Sequence, residues 1–364
     1  MDIQTTASSS AARRAFLLIN AVILGIGNCG GPLIMRLYFL HGGKRIWFSS
    51  FLETAGWPVM LAPLAASYAR RRRESAAAPL VLMGARVFLA AAAIGILTGL
   101  DDYLYACGVA RLPVSTSSLI IAAQLAFTAV FAFFLVGQRF TAYSVNSVVL
   151  LTTGAAVLGL HASGDRPAGE TAREYWIGFA MTMGAALLYG MVLPLIELTY
   201  KKARQAVTFT LALEIQLVMC FFATAFCTVG MVINNDFQAI GREAKAYTLG
   251  EQKYYIVVAL NALIWQCFFV GAIGVIFYSS SLLSGVIMTV LLPITEVLGV
   301  FFYNEKFQAE KGISLFLSLW GFISYLYGDM KNNNKNKDDE HKKPVTQIQG
   351  ETQLATRRSN SAGS

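Results

Sequence analysis

The sequence predicts an all-α integral membrane protein with ten transmembrane helices arranged as two inverted five-helix repeats. Three observations lead there. Of 364 residues, 55% are hydrophobic and 14% charged, where an ordinary soluble domain carries about 25% charge. The apolar residues gather into ten runs, each close to the ~20 residues that a helix needs to cross a bilayer. Several blocks of the first half also recur, in order, in the second.

The runs lie near 15–38, 46–69, 82–105, 114–136, 143–161, 175–198, 206–232, 254–276, 279–302 and 309–328. The first follows a Ser/Ala-rich leader with Arg13 and Arg14. It is too long for a signal-peptide core and reads as a retained helix. The second is followed by the run Arg70, Arg71, Arg72 and Arg73, and the third carries LDDYLY near its end. The fourth and fifth flank the short connection around Arg139, and the sixth contains Pro194. The seventh and eighth enclose a longer loop, 233–253, while the ninth contains Pro293 and the tenth runs into the tail. Segment boundaries follow: a disordered N-terminus over 1–14, a first repeat over 15–161, a connecting loop over 162–174, a second repeat over 175–328 and a disordered tail over 329–364. The tail opens KNNNKNKDDEHKK and has almost no apolar periodicity.

The net charge of +8 does not point to nucleic acid, because basic residues cluster between apolar runs. With the N-terminus inside, 18 of the 29 Lys/Arg fall on the inner side and 11 on the outer. Both termini are therefore expected in the cytoplasm. The three basic residues of loop 233–253 weaken that contrast. The five cysteines lie inside apolar segments with no CxxC or Cys/His spacing, and the three histidines are scattered at 41, 161 and 341. No metal site, cofactor or disulfide frame is expected. An intramembrane enzyme would need His/Asp, Ser/His or metal constellations in or near the membrane, and none is present, so no catalytic residues are assigned.

The duplication is explicit. FFLVGQRFTA (133–142) aligns with VFFYNEKFQA (300–309) at an offset of 167, and the same offset carries Gly154 onto Gly321 and Ser117 onto Ser284. PLIMRLY (32–38) aligns with PLIELTY (194–200) at 162, and FSSFLE (48–53) with FTLALE (209–214) at 161. A unit of five spans is odd, so the second copy lies upside down. Inverted repeats are typical of secondary transporters, with the substrate near the midplane between the halves.

Three long stretches carry a family resemblance: GNCGGPLIMRLYFLHGGKRIWFSSFLETAGWP (27–58), LTGLDDYLYACGVARLPVSTSSLIIAAQLAFTAVFAFFLV (97–136) and LSGVIMTVLLPITEVLGVFFYNEKFQAEKGISL (283–315). Together with the loop MVINNDFQAIGREAKAYTLGE (231–251), they make the chain resemble the plant purine permeases from about residue 15 to about 328. The resemblance implies the drug/metabolite transporter fold and a secondary active transporter. It implies proton-coupled uptake of purine bases and related N-heterocycles, such as adenine and cytokinins, across a membrane; the expected address is the plasma membrane. Vacuolar and endoplasmic reticulum membranes are the alternative addresses. The alternative cargo is another nitrogenous metabolite, an alkaloid or vitamin B6, and the alternative mode is an exchanger or exporter of the same superfamily. The implied partners are a small heterocycle, protons and the lipid bilayer, with no nucleic acid; the sequence leaves the oligomeric state open.

The resemblance supplies no ligand set, so candidate residues rest on physical argument. An ionisable residue within a bilayer is costly and is a functional candidate by default. Glu53 and Glu214 occupy equivalent repeat positions and can face each other across the pseudo-axis. Glu53 shares a helix face with Trp57, since positions i and i+4 stack, and a carboxylate beside an indole suits a flat heterocycle. Asp101 and Asp102 follow each other in GLDDYLYACG, so they point about 100° apart and only one faces a cavity fully; Tyr103 and Tyr105 flank them. Glu296 follows Pro293 by three residues, pairing an acid with a kink. The expected proton-coupling residues are Glu296, Glu53, Glu214 and Asp101. The expected substrate contacts are Glu53, Trp57, Asn28, Asp102, Tyr103, Gln124, Glu214 and Trp265. Asn28 and Gln124 offer both donor and acceptor to a base edge. Glu197 is explained by an i,i+4 pair with Lys201, Arg36 and Arg86 as interfacial anchors, and the glycine patterns as close-packing faces.

Overall fold

The computed structural model describes residues 2–111, 120–121, 123–138, 140–160, 172–203, 205–303, 309, 312–328 and 330–331. Among them every regular element is helical. The helices are α1 (Asp2–Leu40), α2 (Ile46–Thr54), a 3-10 turn (Trp57–Met60), α3 (Leu61–Glu74), α4 (Ala85–Val109), α5 (Gln124–Val136) and α6 (Ala142–Leu160). They continue with α7 (Ala172–Lys202), α8 (Phe209–Ile233), α9 (Asp236–Ala246), α10 (Glu251–Tyr278), α11 (Ser281–Tyr303) and α12 (Gly312–Gly328). The tail beyond 331, Arg139 and most of the loop at 162–174 lie outside the described residues.

Among the described residues, six helices are long and apolar enough to cross a membrane: Ala11–Leu40, Ala85–Gly108, Arg173–Lys202, Phe209–Ile233, Glu251–Tyr278 and Ser281–Gly299. Gln124–Val136 and Gly312–Gly328 are apolar but shorter. Large apolar side chains such as Leu18, Phe134, Ile233 and Phe301 are exposed. Exposed side chains of this kind match a hydrocarbon solvent better than water.

The expected second run, 46–69, is not one helix. It is α2, the 3-10 turn and α3 in succession. Gly56 and Pro58 cause the break. Pro58 has no N–H to return to the carbonyl of Thr54, and Gly56 lies so close to the Ala262 carbonyl and the Gln266 side chain that a Cβ there would overlap them.

Packing follows small residues. The expected close-packing faces are present: α1 runs along α10, with Gly27 against Phe268, Gly31 against Trp265 and Gly271 against Leu24. Without side chains on those faces, backbone meets side chain directly. Helix α4 is held between α7 and α8, α2 lies on α8 and α4, and α5 packs on α7. The main core joins Leu24, Ile94, Tyr189, Leu193, Ile215, Phe268, Ile273 and Val286.

Ends are closed by carboxylates. Glu197 accepts from the Ser281 N–H at 2.7 Å and hydroxyl at 2.6 Å, at the start of α11, and pairs with Lys201 at 3.0 Å. At the opposite end of α10, α9 lies against α1 and the loop after it. Its Glu243 accepts from the Tyr38 hydroxyl, from the Tyr254 hydroxyl at 3.1 Å and from the Lys44 N–H at 3.2 Å. Asp236 accepts from Asn234 at 2.8 Å and pairs with Arg45 at 3.5 Å. Beneath α9, Tyr38, Phe48, Tyr247 and Tyr254 form a second apolar cluster.

Candidate functional site

The break in α2 creates the centre of the site. The Thr54 carbonyl, deprived of a helical donor by Pro58, accepts from Gln266 Nε2 on α10 at 3.2 Å. The Thr54 hydroxyl accepts from Thr224 on α8 at 3.0 Å. Glu53 precedes Thr54 and is fully enclosed, its Oε1 without a partner.

Glu53 lies within electrostatic reach of Asp101 and Asp102 on α4. Those two are also buried, and each has a carboxyl oxygen with no hydrogen bond. Ser50, one turn before Glu53, donates to the Asp102 carbonyl at 3.3 Å and ties α2 to α4 at this level. No ion pair reaches any of the three acids among the described residues. Nor, among the described residues, do any His, Cys, Asp and Glu form a metal-binding group. Three enclosed acids without a cation or a full set of donors are expensive, which marks a functional place rather than a stabilising one.

Tyr105 is in electrostatic reach of Glu53 and Asp101, and Tyr189 on α7 is in reach of all three acids. Tyr189 stacks on Phe268 at 5.8 Å, and Phe268 meets Trp265 edge-on at 5.3 Å. The Trp265 Nε1–H is buried and, among the described residues, donates to nothing. Gln216, Cys220 and Gln266 form a polar strip beside them, with Gln216 Nε2 donating to Cys220 Sγ at 3.0 Å. The chemistry on offer is carboxyls, carboxamides and flat rings, which fits the edge and face of a nitrogen heterocycle.

Other expected residues have different surroundings. Trp57 begins the 3-10 turn and meets Phe221 edge-on at 5.6 Å. The shared face with Glu53 required a continuous helix, and α2 ends at Thr54. Glu214 does not join Glu53. Its carboxylate accepts from the Leu82 N–H at 2.9 and 3.1 Å and the Met83 N–H at 3.0 Å, just before α4. Asn28 donates to the Met288 carbonyl at 3.4 Å, and Gln124 makes a long contact of 4.0 Å with the Met288 sulfur. These two therefore converge on α11. Tyr103 stacks on Trp47 at 3.8 Å. Glu296 is on α11 three residues past Pro293, and its side chain lies outside the described residues. Tyr189, Gln216, Cys220 and Thr54 went unnoticed in the sequence. None breaks an apolar pattern with a charge; Thr54 carries a small hydroxyl common in apolar helices, and Gln216, two residues after Glu214 in LEIQLV, offered the stronger polar signal.

Comparison with known proteins agrees with this chemistry. A family described as purine nucleobase transmembrane transport matches residues 15–335. "Purine permease 3" of Arabidopsis thaliana is 55% identical over 327 residues, covering 89% of this chain and 93% of the relative. "Purine permease 2" of the same plant is 53% identical over 339 residues, covering 89% and 95%. A protein of known crystal structure shares the fold with a TM-score of 0.60 at 16% identity, over 85% of this chain and 97% of that one. The enclosed acids and rings thus belong to an integral membrane transporter, and the chain is a member of the purine permease family.

Proposed function

We propose that this permease imports purine bases and related N-heterocycles, adenine and cytokinins among them, together with protons, at the plasma membrane and with both termini in the cytoplasm. The observation that carries the reading is the group Glu53, Asp101 and Asp102, enclosed without a cation among the described residues and in electrostatic reach of Tyr105 and of Tyr189, whose ring continues into Phe268 and Trp265. A carboxyl in such a place can change charge by exchanging a proton, while the rings receive the flat base. The proton is exchanged within this group, and Glu296 is the further acid to test beside it.

The architecture proposed for this cycle is ten spans in two inverted repeats, 15–161 and 175–328. Packing supports it. Gly154 on α6 meets Ser314, Leu317 and Ser318 of α12, while Gly321 on α12 meets Ser147, Leu150 and Leu151 of α6. Each member of the second set is the first set's partner shifted by 167 (154 to 321; 147, 150 and 151 to 314, 317 and 318). Such an exchange of contacts is what a two-fold axis between copies produces. Phe134 and Phe301, related by the same shift, are both exposed. α1–α10 and α7–α4 are likewise a pair of contacts exchanged between the halves. One repeat rocking against the other would open the acid group to each side in turn.

The test is radiolabelled adenine uptake in cells lacking purine transport, at external pH of about 5 and about 8, with and without a protonophore. Uptake should be faster in acid and collapse with the protonophore. Uptake indifferent to both would remove proton coupling, and absence of transport for every purine base and cytokinin would remove the substrate reading.

A further inference from the structure

Two carboxamides lie beside the acids, and they are not equivalent. Gln266 is engaged. Its Nε2 donates to the Thr54 carbonyl at 3.2 Å, the carbonyl that Pro58 leaves without a helical donor. Gln216 is idle. It is 1% exposed, its Oε1 accepts from nothing among the described residues, and its Nε2 rests on the Cys220 thiol at 3.0 Å. Sulfur is a weak acceptor, so most of this amide's hydrogen-bonding capacity is unspent. Cys220 in turn lies within electrostatic reach of Asp102, and Gln266 contacts the same sulfur at 3.9 Å. An unsatisfied amide oxygen in an enclosed place is uncommon and calls for a reason.

We propose that Gln216 reads the edge of the base: its carboxamide leaves Cys220 and makes a paired donor–acceptor contact with a purine that presents an N–H next to a lone-pair nitrogen or carbonyl. The proposal rests on the base-transport reading above. For adenine, Oε1 accepts from the 6-amino group while Nε2 donates to a neighbouring ring nitrogen, the pairing by which Asn and Gln recognise adenine in nucleic acids. The choice of Gln216 over Gln266 follows from their partners, since withdrawing Gln266 would strand the Thr54 carbonyl. An ionised Glu in place of Gln216 would turn donor-plus-acceptor into two acceptors. That pattern matches the adjacent N1–H and 2-amino donors of guanine instead.

The experiment measures KM and maximal rate for radiolabelled adenine and guanine in cells lacking purine transport. Wild type is compared with Gln216→Leu, Gln216→Asn and Gln216→Glu, each normalised to tagged protein at the cell surface. Gln216→Leu should raise the adenine KM about 10-fold or more with a maximal rate within about twofold, and Gln216→Asn should fall between. Gln216→Glu should shift the guanine-to-adenine ratio of efficiencies by about 10-fold or more toward guanine. Should Gln216→Leu fail to reach the surface, the two polar variants decide alone. Unchanged KM values, or an equal loss for both bases, would make Gln216 a packing residue and leave base transport standing. Failure of wild type to move any purine base would remove the transport reading and this proposal together.

Discussion

Trp47 stacks on Tyr103 with ring centroids 3.8 Å apart and planes 18° from parallel. The pair joins α2 to α4 beside Asp102, and Gly230 on α8 leaves room for the indole. Tyr103 stood out in the sequence as a substrate contact, and one face of its ring is covered by Trp47. A stacking role makes Tyr103→Phe tolerable, with uptake within about twofold, and Tyr103→Ala harmful, since an aromatic pair contributes about 0.5–1.5 kcal/mol, or roughly 2- to 10-fold. Initial uptake rates per surface transporter check this. A larger loss in the Phe variant than in Trp47→Phe would mark the hydroxyl as a substrate contact.

Glu53→Gln and Asp102→Asn keep shape but remove an exchangeable proton. Each should flatten the rise in uptake between external pH of about 8 and about 5, leaving less than about a twofold difference. Counterflow of labelled against unlabelled adenine, which needs binding but no net proton movement, should survive better than uphill uptake. Full pH dependence in both variants would place the proton elsewhere, and Glu296→Gln would then be decisive.

Pro58→Ala returns an N–H to the Thr54 carbonyl and so competes with Gln266. Thermal stability in detergent should hold or rise, while the maximal uptake rate should fall about 10-fold as α2 and α3 straighten toward one helix. Gly56→Ala should act oppositely on stability. Its Cβ overlaps the Ala262 carbonyl and Gln266, costing about 1–3 kcal/mol.

Glu214 holds three N–H contacts from Leu82 and Met83. Hydrogen bonds to a charged group are worth about 1.5–3 kcal/mol. Glu214→Ala should therefore lower the melting temperature by several degrees, and Glu214→Gln by less. The pH profile of uptake should be the same in both, because the change is to the entry of α4. A flattened profile in Glu214→Gln would return this acid to the proton path.

Much of the fold is written in apolar periodicity, since a helix in lipid needs only length and composition to declare itself. The acids Glu53, Asp101 and Asp102 were legible for the same reason: charges are conspicuous where nearly every neighbour is apolar. What periodicity does not contain is partnership. Glu53 and Glu214 match in sequence, yet one keeps a buried carboxyl oxygen without a partner among the described residues and the other is filled by backbone N–H groups, Leu82 from 132 residues away. The break after Thr54 was signalled by Gly56 and Pro58 in TAGWP, but a hydropathy count passes over it because all five residues are uncharged. Tyr189 and Cys220 were silent because both belong in any apolar helix.

Helix α9 brings donors from three places, Tyr38, Lys44 and Tyr254, onto the single side chain of Glu243. Its other face is exposed at Gln238. A dye attached there would therefore ride on an element whose seating depends on α1, α10 and the loop between α1 and α2 all at once. Its brightness or polarisation would register a change in any of them, giving the permease a built-in optical readout that can be followed without labelled cargo.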